Sequence, residues 1–365
     1  MSNFRERFSH IRAQCESAAF RSDIRQLRDK FHGSPLVLYG AGDLGTRTAQ
    51  WLFRNGIRPE CFCDRSGSGI HGETALPIIS PKDLLLHYKG ANILICSIAH
   101  AHDIRQDLLL SGISEERIFI VENLPIHAMM IEDFLPHVDG YEWAYDFFAD
   151  DISKEIICNR VEGYLLSAPL QPSQGAEYFD RSAGVMLSSE EVFVDGGMFD
   201  GDTAMAFVRQ TKGHFRHYYG FEIDDTNYGK AVQNLTGMEH MTLVQKGLWS
   251  GEAERHYRTN LSASSKLSES GDGVIQVTSL DQFFADLPDQ PTLIKLDIEG
   301  AEKEALLGAE HMIKRALPKL AICAYHKPED IYTLPQLLAD YDVGYQFTLR
   351  HYSDNLLDTV LYAVQ

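Results

Sequence analysis

Short apolar runs, several of them closed by a carboxylate or a glycine turn, recur along this chain and alternate with longer amphipathic stretches, the pattern of parallel strands joined by helices. In the second half the runs 192–194, 217–221, 241–245, 292–296 and 319–325 are nearly continuous, as suits strands covered on both faces. Residues 204–210 and 301–313 carry the helical period between them, and 345–352 and 359–364, joined by Ser353-Asp354-Asn355, read as a terminal β-hairpin. The first half repeats the theme. Residues 1–32 read as an amphipathic helical region ended by Gly33-Ser34-Pro35, with apolar runs following at 36–39, before Asp64, at 92–97 and at 118–121. The expected fold class is α/β with two Rossmann-like doubly wound domains. The N-terminal helix and a small domain take 1–125, a helical linker region takes 126–190, and a larger domain takes 191–365. A chain of 365 residues exceeds the size at which one core usually keeps growing, which also favours two.

The most informative stretch is 192–203, Val-Phe-Val-Asp-Gly-Gly-Met-Phe-Asp-Gly-Asp-Thr. An apolar strand ends in Asp195, and Gly196, Gly197 and Gly201 let the backbone turn sharply beside a ligand before a helix begins near Thr203. The loop lacks the Lys-Ser/Thr ending of a P-loop and the spacing of Gly-x-Gly-x-x-Gly, so an adenosine bearing a cationic sulfonium is expected there rather than a phosphate. Asp195 is expected to face the cationic amino acid end. Roughly twenty residues on, Glu222, followed by Ile223, closes the next strand, where a carboxylate accepts from ribose hydroxyls.

A second glycine turn lies in the first half. Gly40-Ala41-Gly42-Asp43-Leu44-Gly45 follows a strand, and Asp64 ends the next one. Gly40, Gly42, Gly45 and Asp64 thus match a dinucleotide fingerprint, and alone they suggest an NAD(P)-dependent oxidoreductase. No acid, base or hydride-acceptor pocket follows in the sequence. A degenerate or nucleotide-sugar-binding role is therefore preferred, with a noncatalytic nucleotide-sugar-binding protein kept as a rival reading. His100, His102 and Asp103 read as solvated or capping groups, and no metal site is expected. Residues 141–148, rich in aromatics, read as an interdomain helix; the loop 171–175 with Tyr178 and Phe179 reads as a lid. The long connection 250–290 carries Arg255, Arg258, Ser262, Ser264, Ser265 and Lys266, which are expected to reach the substrate.

Charge and cysteine usage narrow the setting. With 33 Lys and Arg against 52 Asp and Glu, the formal charge is −19, which disfavours nonspecific contact with nucleic acid or anionic membrane. Six cysteines without Cys-x-x-Cys spacing suit free thiols in a reducing compartment. With no apolar span or secretory leader, a soluble cytoplasmic protein is expected, and a homo-oligomer is left open.

Over about 190–365 the chain resembles the FkbM-type S-adenosylmethionine-dependent methyltransferases. The resemblance rests on Val-Asp-Gly-Gly at 194–197, Gly-Phe-Glu at 220–222, Gly-Leu-Trp at 247–249, Thr-Ser-Leu-Asp at 278–281, Ile-Lys-Leu-Asp-Ile-Glu-Gly-Ala-Glu at 294–302 and Tyr-His-Lys-Pro-Glu-Asp at 325–330. Gly196, Met198 and Phe199 depart from the family's usual Asp-Val-Gly-Ala-Asn-x-Gly. The resemblance implies a class I methyltransferase sheet ending in an antiparallel hairpin, with adenine beside Lys246 and Gly247. It also implies methyl transfer to a hydroxyl of a sugar, glycan or other small molecule. Asp297, at a strand end, is then expected near the transferred methyl group. Glu299 is either a helix cap or a catalytic carboxylate, and Glu302 is expected to cap. His326, at the next strand end, is the expected general base, because imidazole titrates nearest neutrality.

Overall fold

The computed structural model describes residues 3–17, 28–31, 33–65, 68–97, 100–121, 131–166, 168–259, 265–268 and 273–365. It is an α/β structure in which parallel pairing dominates both large sheets. The first contains β1 (Leu36–Tyr39), β2 (Cys61–Cys63), β3 (Gly69–Ile70), β4 (Pro77–Ile79), β5 (Asn92–Ile95) and β6 (Ile118–Ile120) in the order β3-β4-β2-β1-β5-β6. Only β3 with β4 pairs antiparallel. Every residue of β1, β2 and β5 is buried, which explains why their sequences are apolar apart from Asn92. Cys61 and Cys63 share one face with Val37, Tyr39 and Ile93, while Phe62 packs on the other. Burial pushes the Cys63 thiol up to about 12, leaving it an inert core residue.

The second sheet has seven strands: β7 (Val192–Gly196), β8 (His217–Phe221), β9 (Met241–Val244), β14 (Leu293–Leu296), β15 (Lys319–Cys323), β16 (Gln346–His351) and β17 (Thr359–Val364). Their order is β16-β17-β15-β14-β7-β8-β9. β17 runs antiparallel to β15 and β16, and the remaining pairs are parallel. Since β7 sits between β8 and β14, successive crossovers leave it in opposite directions, opening a crevice at the carboxyl ends of these strands. On one face Phe193 of β7 packs among Phe179, Phe207 and Tyr218 with ring centroids 4.8 to 5.7 Å apart. Each such burial contributes about 1.5 to 3 kcal/mol.

Between β9 and β14 the chain forms a four-stranded sheet from β10 (Gly247–Leu248), β11 (Ala253–Thr259), β12 (Ser265–Ser268) and β13 (Gly273–Thr278). Of the hydroxyls expected to reach substrate from this region, Ser262 and Ser264 lie outside the described residues. The single helix expected over 301–313 is two, Glu302–Leu307 and Glu310–Ala316. They part at Gly308, where a Cβ would stand 2.1 Å from the Trp249 carbonyl oxygen.

The helix Phe4–Cys15 does not pack on the first sheet, with which the sequence grouped it. Phe4, Phe8 and Ile11 enter the core beneath the second sheet, with Phe134, Tyr141 and Ile157 from the helices that follow the first sheet. Arg5 binds Asp139 and Glu142, each at 2.6 Å, and Arg7 binds Glu155 at 2.5 Å. Asn3 caps this helix by accepting from the Glu6 amide at 2.9 Å. The aromatic helix Val138–Phe147 buries Tyr141 and Ala144 in the same core. Among the described residues no helix is long and apolar enough to cross a membrane.

Candidate active site

The crevice at the ends of β7, β8 and β14 holds a cavity of about 710 Å³, within the size range of small-molecule sites. Its floor is set by backbone contact. Gly197 has φ +75°, and a Cβ there would fall 1.8 Å from the carbonyl oxygen of Asp297, so only glycine lets the exits of β7 and β14 touch. The Gly197 and Met198 amides donate to the Phe221 carbonyl at 2.9 and 3.0 Å, tying the turn to β8.

Beneath this turn lies a buried ion pair. Lys295 Nζ stands 2.9 Å from Asp195 Oδ1 and donates to the carbonyls of Gly197 at 2.6 Å and Gly196 at 3.2 Å. Tyr218 donates to Asp195 Oδ2 at 2.8 Å. Burial works against the Lys295 ammonium, but Asp195 and Asp297 outweigh it and raise its pKa. Asp195 is fully buried and does not line the cavity, so it is not placed to hold a cofactor's amino acid end as the sequence suggested. Its charge is matched by Lys295. Gly196 and Gly201 are likewise behind the wall, wedged against Leu296 and Leu248 and against Leu235. Lys295, which the sequence reading did not single out, does line the cavity; a lysine inside an otherwise apolar strand was the signal, since a buried ammonium demands a partner.

Of the residues proposed from the sequence as cofactor contacts, Gly197, Thr203, Glu222, Ile223, Lys246 and Gly247 line the cavity. Glu222 Oε1 accepts from the amides of Ile223 and Asp224, both at 2.8 Å, and Oε2 accepts from Phe199 at 3.0 Å. Burial nevertheless leaves its carboxyl above the ordinary range. A carboxylate offers about four acceptor positions, so one remains for a ligand hydroxyl. Phe199, noted in the sequence only as a departure from the family's usual loop, and Asn227, which nothing in the sequence pattern marked, also line the cavity.

On the opposite side Asp297 accepts from Tyr325 at Oδ1, 3.0 Å, and from Tyr178 at Oδ2, 3.1 Å. Burial alone would raise its carboxyl, but Lys295 and His326 hold it below the usual value. Glu299 also lines the cavity, in a left-handed turn with φ 57°. Tyr178 and Phe179 wall the cavity from the segment before β7, where a lid was expected.

His326 departs from its expected role. It is absent from the wall, its side chain is 7% exposed, and both ring nitrogens face carboxylates: Nδ1 lies 3.0 Å from Glu302, while Nε2 lies 3.3 Å from Asp297 and 3.8 Å from Glu299. Burial would lower its pKa, yet Glu302, Asp297 and Glu299 push it up to about 9. At neutral pH it is an imidazolium with no lone pair to take a proton, so it is not placed as the base. Asp297, Glu302 and His326 form the one group of ligand-type side chains, among the described residues, with atoms within 4.8 Å of one another. Glu302 and Asp297 face opposite ring nitrogens, an arrangement that a doubly protonated imidazole satisfies. Glu302 also accepts from the Ile298 amide at 2.9 Å and from Gly300 at 3.3 Å, so it fastens the preceding turn and His326 together.

In the first sheet, Gly45 would bring a Cβ within 2.0 Å of the Gly40 carbonyl oxygen, and Gly40 has φ +114°. Asp64 Oδ2 accepts from the Ala41 amide at 2.9 Å, so this carboxylate turns toward the glycine loop at 40–45. Gly42 caps the helix Asp43–Arg54 without a side-chain bond. His100, His102 and Asp103 form no such ligand group.

Residues 195–347 match the family described as the methyltransferase FkbM domain. Among solved structures, methyltransferase FkbM from Methylobacillus flagellatus KT is similar over 99% of this chain and 100% of its own, with a TM-score of 0.60 and 21% identity. That likeness extends the shared fold across both sheets. An rRNA methylase from Streptococcus thermophilus is similar over 53% of this chain and 100% of its own, at 15% identity and a TM-score of 0.33. Fibrillarin from Aeropyrum pernix, in complex with natively bound S-adenosyl-L-methionine, is similar over 49% of this chain and 70% of its own, at 11% identity and a TM-score of 0.31. No curated protein matches the sequence. Apart from Ala176, Glu177, Tyr178 and Phe179, the residues lining the crevice fall within the match: 195–347 are a methyltransferase FkbM domain, and the chain is an S-adenosylmethionine-dependent methyltransferase.

Proposed function

We propose that the chain methylates a hydroxyl oxygen of a sugar, glycan or other small polar molecule. The observation that carries this reading is the character of the cavity wall beyond the cofactor side. Glu177, Asp297, Glu299 and the Tyr178 hydroxyl crowd it with hydrogen-bonding oxygens, which suit a polyhydroxylated acceptor better than an apolar one. S-adenosylmethionine, when bound, supplies a methyl group made electrophilic by its sulfonium. Glu222 is suited to accept from ribose hydroxyls, and Lys246 and Gly247 to flank the adenine. Gly197, whose lack of a Cβ lets the exits of β7 and β14 touch, is suited to form the turn under the cofactor. Asp297, fixed by two tyrosines, is suited to orient the acceptor hydroxyl.

The test is transfer of labelled methyl groups from S-adenosylmethionine to a panel of glycans, sugar nucleotides and small alcohols, with the product linkage read by mass spectrometry. Label found only on nitrogen or carbon would overturn the reading. For the first sheet, a Rossmann-like domain that is degenerate or binds a nucleotide sugar remains the preferred reading over NAD(P) chemistry. It is supported by the glycine turn at 40–45 with Asp64 drawn into it. A cytoplasmic location belongs to the same proposal, supported by Cys61, Cys63, Cys96, Cys158 and Cys323, which are buried free thiols.

A further inference from the structure

One carboxylate among the oxygens that crowd the acceptor side, Glu177, has no individual role in the assignments above. Glu177 lines the cavity beside Tyr178, Lys295 and Asp297, and it comes from the segment before β7 rather than from a strand end. Its Oε1 is buried and has no hydrogen-bond partner among the described residues, an arrangement that carries a penalty unless a ligand proton occupies it.

The backbone around it is held firmly. Tyr178, in the left-handed region at φ 64°, donates its amide to the Tyr362 hydroxyl at 3.1 Å. Asp180 accepts from the Ser182 amide at 2.7 Å and from the Tyr352 hydroxyl at 2.8 Å, and Tyr352 and Tyr362 share a bond of 2.7 Å. A Cβ at Gly175 would meet Asp180 Oδ2 at 1.9 Å, so the segment closes tightly on itself. A group presented from such a fixed segment needs little reorganisation to react.

We propose that Glu177 is the general base that removes the acceptor's hydroxyl proton, an inference that rests on the reading of hydroxyl methylation above. As the O–H bond breaks, its proton passes to a Glu177 oxygen, and an acceptor oxygen pair forms the new bond to the methyl carbon. The carbon–sulfur bond breaks with its electron pair returning to sulfur. The sulfonium charge and the carboxylate charge both disappear, S-adenosylhomocysteine leaves, and Glu177 later returns the proton to water.

Electrostatics agree with this role. Burial, and then the carboxylates of Asp358 in the turn between β16 and β17 and of Asp297 at the end of β14, push the Glu177 carboxyl up; Tyr178 and Lys295 oppose them. The balance leaves it at about 7, where a carboxylate is both available and basic. Asp297, held low and engaged at both oxygens, is the weaker base.

Two variants and two readouts test this in the full-length protein. Glu177→Gln should lower single-turnover methyl transfer by about a hundredfold or more. It should leave S-adenosylhomocysteine affinity within about twofold and remove the rise of rate with pH near neutrality. Glu177→Asp should retain that rise at a reduced rate. Independently, infrared difference spectra of the cofactor-free protein should show a carboxyl band that titrates near neutrality and vanishes in Glu177→Gln. A Glu177→Gln protein with the wild-type rate and pH profile, or a band that titrates only in the ordinary carboxylate range, overturns the assignment. Wild-type protein that binds S-adenosylhomocysteine but methylates no hydroxyl overturns the hydroxyl reading, and this role with it.

Discussion

The Tyr178 hydroxyl donates to Asp297 Oδ2 at 3.1 Å, joining positions 119 residues apart. The bond links the segment before β7 to the end of β14 and closes one side of the crevice. It also shapes how Asp297 can meet a substrate, because one of its oxygens is oriented before anything binds.

Tyr178→Phe removes that donor while keeping the ring. Loss of a hydrogen bond to a charged group should cost about 1.5 to 3 kcal/mol at most, expressed chiefly as a higher KM for the acceptor. S-adenosylhomocysteine affinity, read by calorimetry, should barely change. An unaltered acceptor KM would mean that Asp297 is oriented by Tyr325 alone.

Glu222→Ala should weaken S-adenosylhomocysteine binding by about 1 to 3 kcal/mol. Three backbone amides also lose their acceptor, so the thermal midpoint should fall too. Calorimetry on protein that circular dichroism shows to be folded separates the two effects; unchanged affinity would remove Glu222 from the ribose contact.

Lys295→Met removes the counter-charge of Asp195 in a fully buried position, where burial already pushes that carboxyl up, and this should destabilise the protein by about 3 to 5 kcal/mol. Adding Asp195→Asn should recover a large part of this. A urea double-mutant cycle measures the coupling, and additive losses would show that the pair is not an energetic unit.

His326 makes stability depend on pH with a definite sign. Its pKa is about 9 in the folded chain against an ordinary value of 6.5. The contribution is therefore fully present below about pH 6.5 and is lost as pH rises through about 9, amounting to something on the order of 3 kcal/mol. The urea midpoint of the wild type should fall toward that of His326→Gln across this window. A constant gap between the two proteins would sink the imidazolium assignment.

For the first sheet, the full-length protein titrated with NADH and with nucleotide sugars should bind the latter and turn over no carbonyl or alcohol by hydride transfer. Steady oxidation of NADH by any small carbonyl would reverse the preference for nucleotide-sugar binding.

The strands were legible because a buried parallel strand writes itself as an uninterrupted apolar run: His217–Phe221 has the bounds its composition implies. Turns carrying glycine were legible for the same local reason. What escaped was decided by neighbours distant in the chain. Asp195 reads as a ligand-facing strand end until Lys295, in register with it on β14, takes its charge. His326 reads as a neutral base until three carboxylates surround it. Glu177 carries no sequence signal of its own, and only the fold brings it beside Asp297 and Asp358. The break at Gly308 likewise answers to Trp249, far away in sequence.

The place of helix Phe4–Cys15 has a polymer-physics consequence. Because Phe4 and Phe8 share one core with Phe134 and Tyr141, the chain leaves that body, builds the first sheet, and comes back to it. The first sheet is thus a closed loop of ~100 residues anchored at both ends, and its unfolded state is already confined. Loop-closure entropy grows only as the logarithm of length, so melting this sheet in place releases less freedom than melting a free tail. Loss of the second body frees both anchors at once. A fragment cut near residue 190 leaves the aromatic stripe of that helix and its partners behind, and exposes to water the apolar surface they cover.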